Sequence, residues 1–133
     1  MAADIISIVG LVFGALLGLA GFLFPGWIAN VLKLEAVSNK PGGFAEFRGT
    51  IGGYFLGTHL VALYAAFHDN SAIAWTACFV VGAGWIFTGA GRVVSMIADR
   101  TRNGGLGMNP VWAASEFVVG LAIGAPFLQH IVT

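Results

Sequence analysis

Charge is what this sequence has least of. Six Lys or Arg and six Asp or Glu make up 9% of its 133 residues, against about 25% in a water-soluble domain. So few hydrated groups cannot cover a globular surface, and a soluble domain is excluded. The two signs cancel to a net charge of zero with a pI near 6.8. That balance leaves no basic face for nucleic acid and no acidic tail for cations. Cysteine is nearly missing as well: Cys78 stands alone, which excludes an internal disulfide, a Cys-x-x-Cys redox pair and a Cys-rich zinc site. No metal and no cofactor is expected. The first apolar run lacks the basic start and small-residue cleavage pattern of a signal peptide, so it is expected to stay as a helix.

What the chain has instead is apolar length. Hydrophobic residues are 58% of the sequence and the mean hydropathy is +0.89. A membrane-crossing helix needs about 20 residues, so at most four or five fit. Four runs qualify, at about 5–24, 44–67, 72–97 and 110–129, and none alternates with the period of a strand. The expected fold is all-α: one polytopic domain over 1–133, a four-transmembrane-helix bundle with short loops. Pro25-Gly26 should stop the first span. The stretch from Trp27 to Leu34 reads as interfacial, residues 38–43 as a loop, His68-Asp69-Asn70 as a tight turn and residues 99–105 as the third loop. Asn109-Pro110 should open the fourth span, with Pro126 in its last turn.

Every Lys and Arg falls near the first or third loop: Lys33, Lys40 and Arg48 by the one, Arg92, Arg100 and Arg102 by the other. The positive-inside bias therefore puts both loops in the cytoplasm and both termini on the outer side. Twenty glycines recur at helical spacing: Gly10-Gly14-Gly18 in span one, Gly49-Gly53-Gly57 in span two, Gly120-Gly124 in span four. In lipid, small residues four apart let helix backbones approach closely. These stripes are expected to pack helices within one bundle, or between copies in a homo-oligomer.

An intramembrane charge costs roughly 2.5 to 3.5 kcal/mol on insertion scales, so each one needs a reason. Glu46, Arg48, Arg92 and Glu116 are such charges, all within about 10 Å of the cytoplasmic interface at 1.5 Å per helical residue. Thr88, Arg92, Ser95 and Asp99 follow a 4-3-4 spacing that draws one polar stripe along span three. On span four, Trp112, Glu116, Gly120 and Gly124 share a face, which could bring the Glu116 carboxylate to the Arg92 guanidinium. Eleven residues separate Arg48 from His59, so the two should point one way, and Glu46, Gly53 and Gly57 the other. The cluster reads either as an interhelical pin with Arg48 snorkelling to lipid, or as a site for an anionic lipid headgroup. His59, mid-span, is the intramembrane candidate, most simply a neutral imidazole bonded within the protein. His68 and His130 close spans two and four; Trp27, Trp75 and Trp112 fall where aromatic belts occur, and Trp85 lies inside span three.

Glu46-x-Arg48-x3-Gly52-Gly53, Arg92-x2-Ser95-x3-Asp99 and Glu116-x3-Gly120 together resemble small bacterial four-helix inner-membrane proteins of a domain-of-unknown-function family. The resemblance implies four spans in a bacterial inner membrane and no particular activity. It directs attention to Arg48, Gly52, Gly53, Arg92, Asp99 and Glu116.

The leading expectation is a non-enzymatic membrane protein: an accessory or scaffold subunit of a larger complex, or a lipid-binding module using the cytoplasmic-side polar cluster. Its partners would be the bilayer, an anionic headgroup and further copies of itself. The alternatives are a small homo-oligomeric transporter or channel, and a membrane enzyme acting on a lipid headgroup with Glu116 as base.

Overall fold

The computed structural model describes residues 2–35, 43–68, 71–99 and 105–132. Those residues form α1 (Ala2–Leu23), α2 (Pro25–Leu32), α3 (Gly43–Glu46), a π-helical segment (Phe47–Gly53), α4 (Tyr54–His68), α5 (Ser71–Ala98) and α6 (Asn109–Val132). The fold is all-α. Four stretches are long and apolar enough to cross a bilayer, Ala2–Leu23, Phe44–His68, Ala72–Ala98 and Asn109–Val132, and the chain is a multi-pass membrane protein. Most of the loop expected at 38–43, Asp69 and Asn70 of the expected turn, and residues 100–104 with Arg100 and Arg102 lie outside the described residues, as does Lys40.

Helix ends follow local chemistry. α1 stops at Leu23 because Phe24 leaves the helical region at φ −122° and ψ 68°, and Pro25 then starts α2 where its missing N–H removes nothing. The interfacial stretch is therefore itself a helix. It ends at Lys33 in the left-handed region, φ 59°, with Leu34 N–H donating to the Ala29 carbonyl at 2.9 Å. α6 runs six residues past Pro126, where the last turn was expected. The proline ring crowds the carbonyls of the turn before it, and the Ser7 hydroxyl, from α1, donates to the Ile123 carbonyl there at 2.7 Å. A hydroxyl from a neighbouring helix is how apolar surroundings tolerate such a proline.

The second span is where helical phase departs from expectation. Across Phe47–Gly53 the ladder shifts to longer turns, and Tyr54 N–H reaches back to the Gly49 carbonyl. Positions counted at 3.6 residues per turn through this segment land on the wrong face. Gly49 and Gly57 are exposed with open space around them, and Gly53 meets only its own helix. The expected Gly49-Gly53-Gly57 stripe is thus displaced, and Gly52 takes the contact: a methyl group there would strike the Phe22 backbone. The same slip separates Arg48, exposed, from His59, buried.

Contacts divide the chain into two compact units, Met1–Gly10 with Ala65–Thr133, and Leu11–Tyr64. In the first, α5 and α6 run antiparallel with backbones in near contact: a methyl on Gly82 would lie 2.6 Å from the Gly120 carbonyl oxygen, and one on Gly120 2.7 Å from the Gly82 oxygen. Gly124 is buried beside them, its nitrogen 2.9 Å from that same Gly82 position, and a methyl on Gly10 would lie 2.6 Å from Ile123 Cγ1. In the second unit the later part of α1 lies along α4 and the π segment. Gly18 abuts the Leu56 backbone and Gly14 the His59 ring. α2 covers the π segment through Ile28, Ala29 and Phe47, with Ile51 beside them. The largest fully buried side chains among the described residues are Leu11, Ile123 and Ser7, with Ile28, Phe47, His59, Trp85 and Glu116 also buried.

Candidate functional site

Arg92 stands near the end of α5 and Glu116 near the start of α6, on facing sides of the antiparallel pair. Gly89 brings them together: a methyl there would lie 3.1 Å from the Ala113 carbonyl oxygen and 3.4 Å from Glu116 Cβ. Arg92 Nε donates to both carboxylate oxygens of Glu116, at 2.8 Å and 2.9 Å. The Glu116 side chain is 7% exposed and that of Arg92 27%. Glu116, Gly120 and Gly124 all face α5 as their shared register requires, whereas Trp112 is exposed. The two Nη amines of Arg92 donate to no acceptor among the described residues. The pair therefore presents a guanidinium fixed through one nitrogen, with four N–H donors left in a planar fork. A fork of that shape fits the paired oxygens of a phosphate or carboxylate.

The other expected members are distributed more widely. Thr88 is exposed and its hydroxyl turns back to the Gly84 carbonyl at 2.9 Å. Ser95 and Asp99 are half-buried further along α5, the Asp99 N–H bonded to the Ser95 carbonyl at 2.9 Å. Glu46 and Arg48 belong to the other compact unit. Glu46 is exposed and accepts from the Thr50 hydroxyl at 3.2 Å. Arg48 is exposed in the π segment and bonds to no described residue. Of the seven polar residues expected to cluster, Arg92 and Glu116 are joined side chain to side chain between helices, and Ser95 and Asp99 are linked through the backbone of α5.

His59 is 2% exposed, and its surroundings are structural. Nδ1 lies 2.7 Å from the Phe55 carbonyl one turn earlier; a carbonyl only accepts, so Nδ1 carries the proton. The ring stacks on Phe55 at 5.2 Å between centroids and fills the space that Gly14 leaves free on α1. A methyl at Gly14 would collide with it.

Sequence reasoning passed over Ser7. It is 2% exposed, bonded to Ile123 and within 3.3 Å of Cys78 Sγ. The signal was present: Asp4, Ser7, Gly10 and Gly14 are spaced for one helix face, and Pro126 announces carbonyls that need a donor. His130, at the end of α6, packs on the Trp75 ring with centroids 3.9 Å apart.

A family model described as Domain of unknown function (DUF4345) matches residues 2–125 of the chain. No curated protein and no solved structure matches it.

Proposed function

The chain belongs to the DUF4345 family, and we propose that it is a non-enzymatic membrane module that holds an anionic lipid headgroup on the Arg92 guanidinium. One observation carries this reading: Glu116 occupies only Nε, so the guanidinium is oriented while its Nη donors stay unclaimed by the described protein. In hydrocarbon such donors are costly, and the acceptors at hand are lipid phosphates and interfacial water. Arg92 is six residues from the end of α5, about 9 Å at 1.5 Å per residue, a depth from which an arginine snorkels to phosphate. The positive-inside bias supports the cytoplasmic leaflet for this end and the outer side for both termini, and the family resemblance supports a bacterial inner membrane.

Purification in mild detergent followed by native mass spectrometry tests the reading. Wild-type protein is expected to retain phosphatidylglycerol or cardiolipin in preference to zwitterionic lipid. Arg92→Lys keeps the charge but loses the fork, and retention should fall by about tenfold. A folded Arg92→Leu/Glu116→Leu protein that retains as much anionic lipid as wild type would overturn it. A second reading, a homo-oligomer, draws on the exposed Gly84, Thr88 and Gly91 along α5, a small-residue strip on which a second copy could pack. Cross-linking in native membranes through cysteines placed on that strip tests it.

A further inference from the structure

The end of the α5–α6 pair remote from Arg92 carries a feature that the headgroup reading does not use. Trp75 precedes Arg92 by 17 positions on α5, about 26 Å along the helix. There, within the unit formed by Met1–Gly10 and Ala65–Thr133, the start of α1, the ends of α4 and α6 and the start of α5 enclose a cleft of about 180 Å³. It is lined by Ser7, Ala66, Ala74, Trp75, Cys78 and Pro126, with the exposed Asp4 beside them. We infer that this cleft binds a small neutral hydroxylated aromatic ring, of the phenol class, with its hydroxyl on Ser7 and its ring against the Trp75 indole.

Each part of the lining narrows the class. Ala66, Ala74 and Pro126 are apolar, so water filling the space would meet few polar partners for its hydrogen bonds. An ion fits no better. Among the described residues Asp4 is the one charged side chain in the lining, and it is already engaged within the protein; an ion left unpaired in apolar surroundings is costly. A neutral ligand remains, and Ser7 fixes its polar end. The Ser7 hydroxyl gives its only proton to the Ile123 carbonyl at 2.7 Å, so toward a ligand it acts as an acceptor. The Cys78 thiol, with Sγ 3.3 Å away, has one proton and occupies at most one of the two lone pairs. A ligand that donates an O–H is therefore favoured over one that only accepts. Trp75 supplies a flat wall, and the His130 ring packed on it, 3.9 Å between centroids, holds its plane. A second ring meets that wall in the offset or edge-on contact that aromatic pairs prefer.

Size points the same way. An apolar protein cavity of about 150 Å³ takes up benzene, so about 180 Å³ admits a benzene ring with a hydroxyl and one further small substituent. A phenol keeps its proton at neutral pH, as tyrosine does. Such a ring could come free from solution or at the end of a membrane-soluble tail. The chemistry is shared, and the experiment separates the sources.

The full chain is labelled with fluorotryptophan and reconstituted in phosphatidylglycerol nanodiscs, and Trp75→Leu identifies the fluorine resonance of Trp75 by its loss. Phenol is then titrated against anisole, which has the same ring but no O–H to donate, at matched concentrations in the nanodisc. Phenol is expected to shift the Trp75 resonance saturably, with a midpoint below about 20 mM, and anisole to need about fivefold more. Ser7→Ala should erase that preference. Ala66→Leu, which fills the cleft from a half-buried position, should abolish the shift, and unchanged circular dichroism verifies folding. The phenol-to-anisole comparison on wild type needs neither variant. A dodecyl-substituted phenol, which stays in the bilayer, displaces phenol from the cleft if a tail-borne ring is the occupant; failure to displace it identifies a ring from solution. No saturable Trp75 shift in folded wild type, equal midpoints for phenol and anisole, or an undiminished shift in folded Ala66→Leu overturns the inference.

Discussion

The two compact units each bury a polar side chain, and they solve that problem differently. In Leu11–Tyr64 the buried group is His59, whose Nδ1 is satisfied by the Phe55 carbonyl of its own helix. What His59 then needs is volume, and Gly14 on α1 supplies it. In the other unit Ser7 is likewise satisfied by a carbonyl, but the buried charged group is Glu116, and no carbonyl satisfies a carboxylate. It needs a cation from a neighbouring helix, which is Arg92. The first solution asks only that two helices fit. The second also fixes which residues must face each other, and among the described residues it leaves the Arg92 Nη donors without an acceptor.

The largest effects should come from breaking the charge solution. Arg92→Leu orphans a carboxylate that is 7% exposed, and removing one partner of a buried pair costs about 3–5 kcal/mol. Stability read by SDS titration in mixed micelles should fall by that amount. Arg92→Leu/Glu116→Leu should recover much of it, because no unpaired charge remains. A double variant as unstable as the single would show that the pair is not what limits the contact. Next comes the backbone seam. Gly120→Val would put side-chain carbons against the Gly82 oxygen and the Ile86 nitrogen, both 3.0 Å or less from the first added atom. Backbone cannot rotate away, so α5 and α6 must separate, at about 2–3 kcal/mol. Cysteine pairs across the α5–α6 seam should then cross-link more slowly.

Breaking the volume solution should cost less. Gly14→Ala forces the His59 ring off its position, at about 1–2 kcal/mol. The informative measurement is the coupling with His59→Ala. If Gly14 exists to house the ring, the double variant is more stable than the two single losses predict, by about 0.5–1 kcal/mol. Additivity would mean that Gly14 serves the backbone and the imidazole is incidental.

Much of this was legible in the sequence wherever helices keep one phase. The spans follow from hydropathy, because bilayer thickness fixes length. The Arg92–Glu116 contact follows from two uninterrupted α-helices, on which Gly89, Arg92, Glu116 and Gly120 fall at predictable angles. Span two was not legible in the same way. Three glycines within Gly49–Gly53 remove the side chains that would hold the ladder to α geometry, and the π segment shifts every later position. Gly52 therefore makes the contact expected of Gly49 and Gly53, and Arg48 and His59 diverge.

The smallest predicted effect tests whether the phase shift or glycine content governs the second span. Gly57 was expected to pack and is exposed, with nothing near enough to touch an added methyl. In water, replacing an exposed mid-helix glycine with alanine gains about 0.5–1 kcal/mol from backbone entropy. In a bilayer the separated helices are already hydrogen-bonded internally, so most of that gain is present before packing and little is left to measure. Gly57→Ala should therefore change stability by no more than about 0.5 kcal/mol, while Gly14→Ala in the same unit loses several times that. Equal losses at the two positions would mean that span two keeps its α phase in the membrane. The contact face would then return to Gly49, Gly53 and Gly57, and Arg48 would again point the same way as His59.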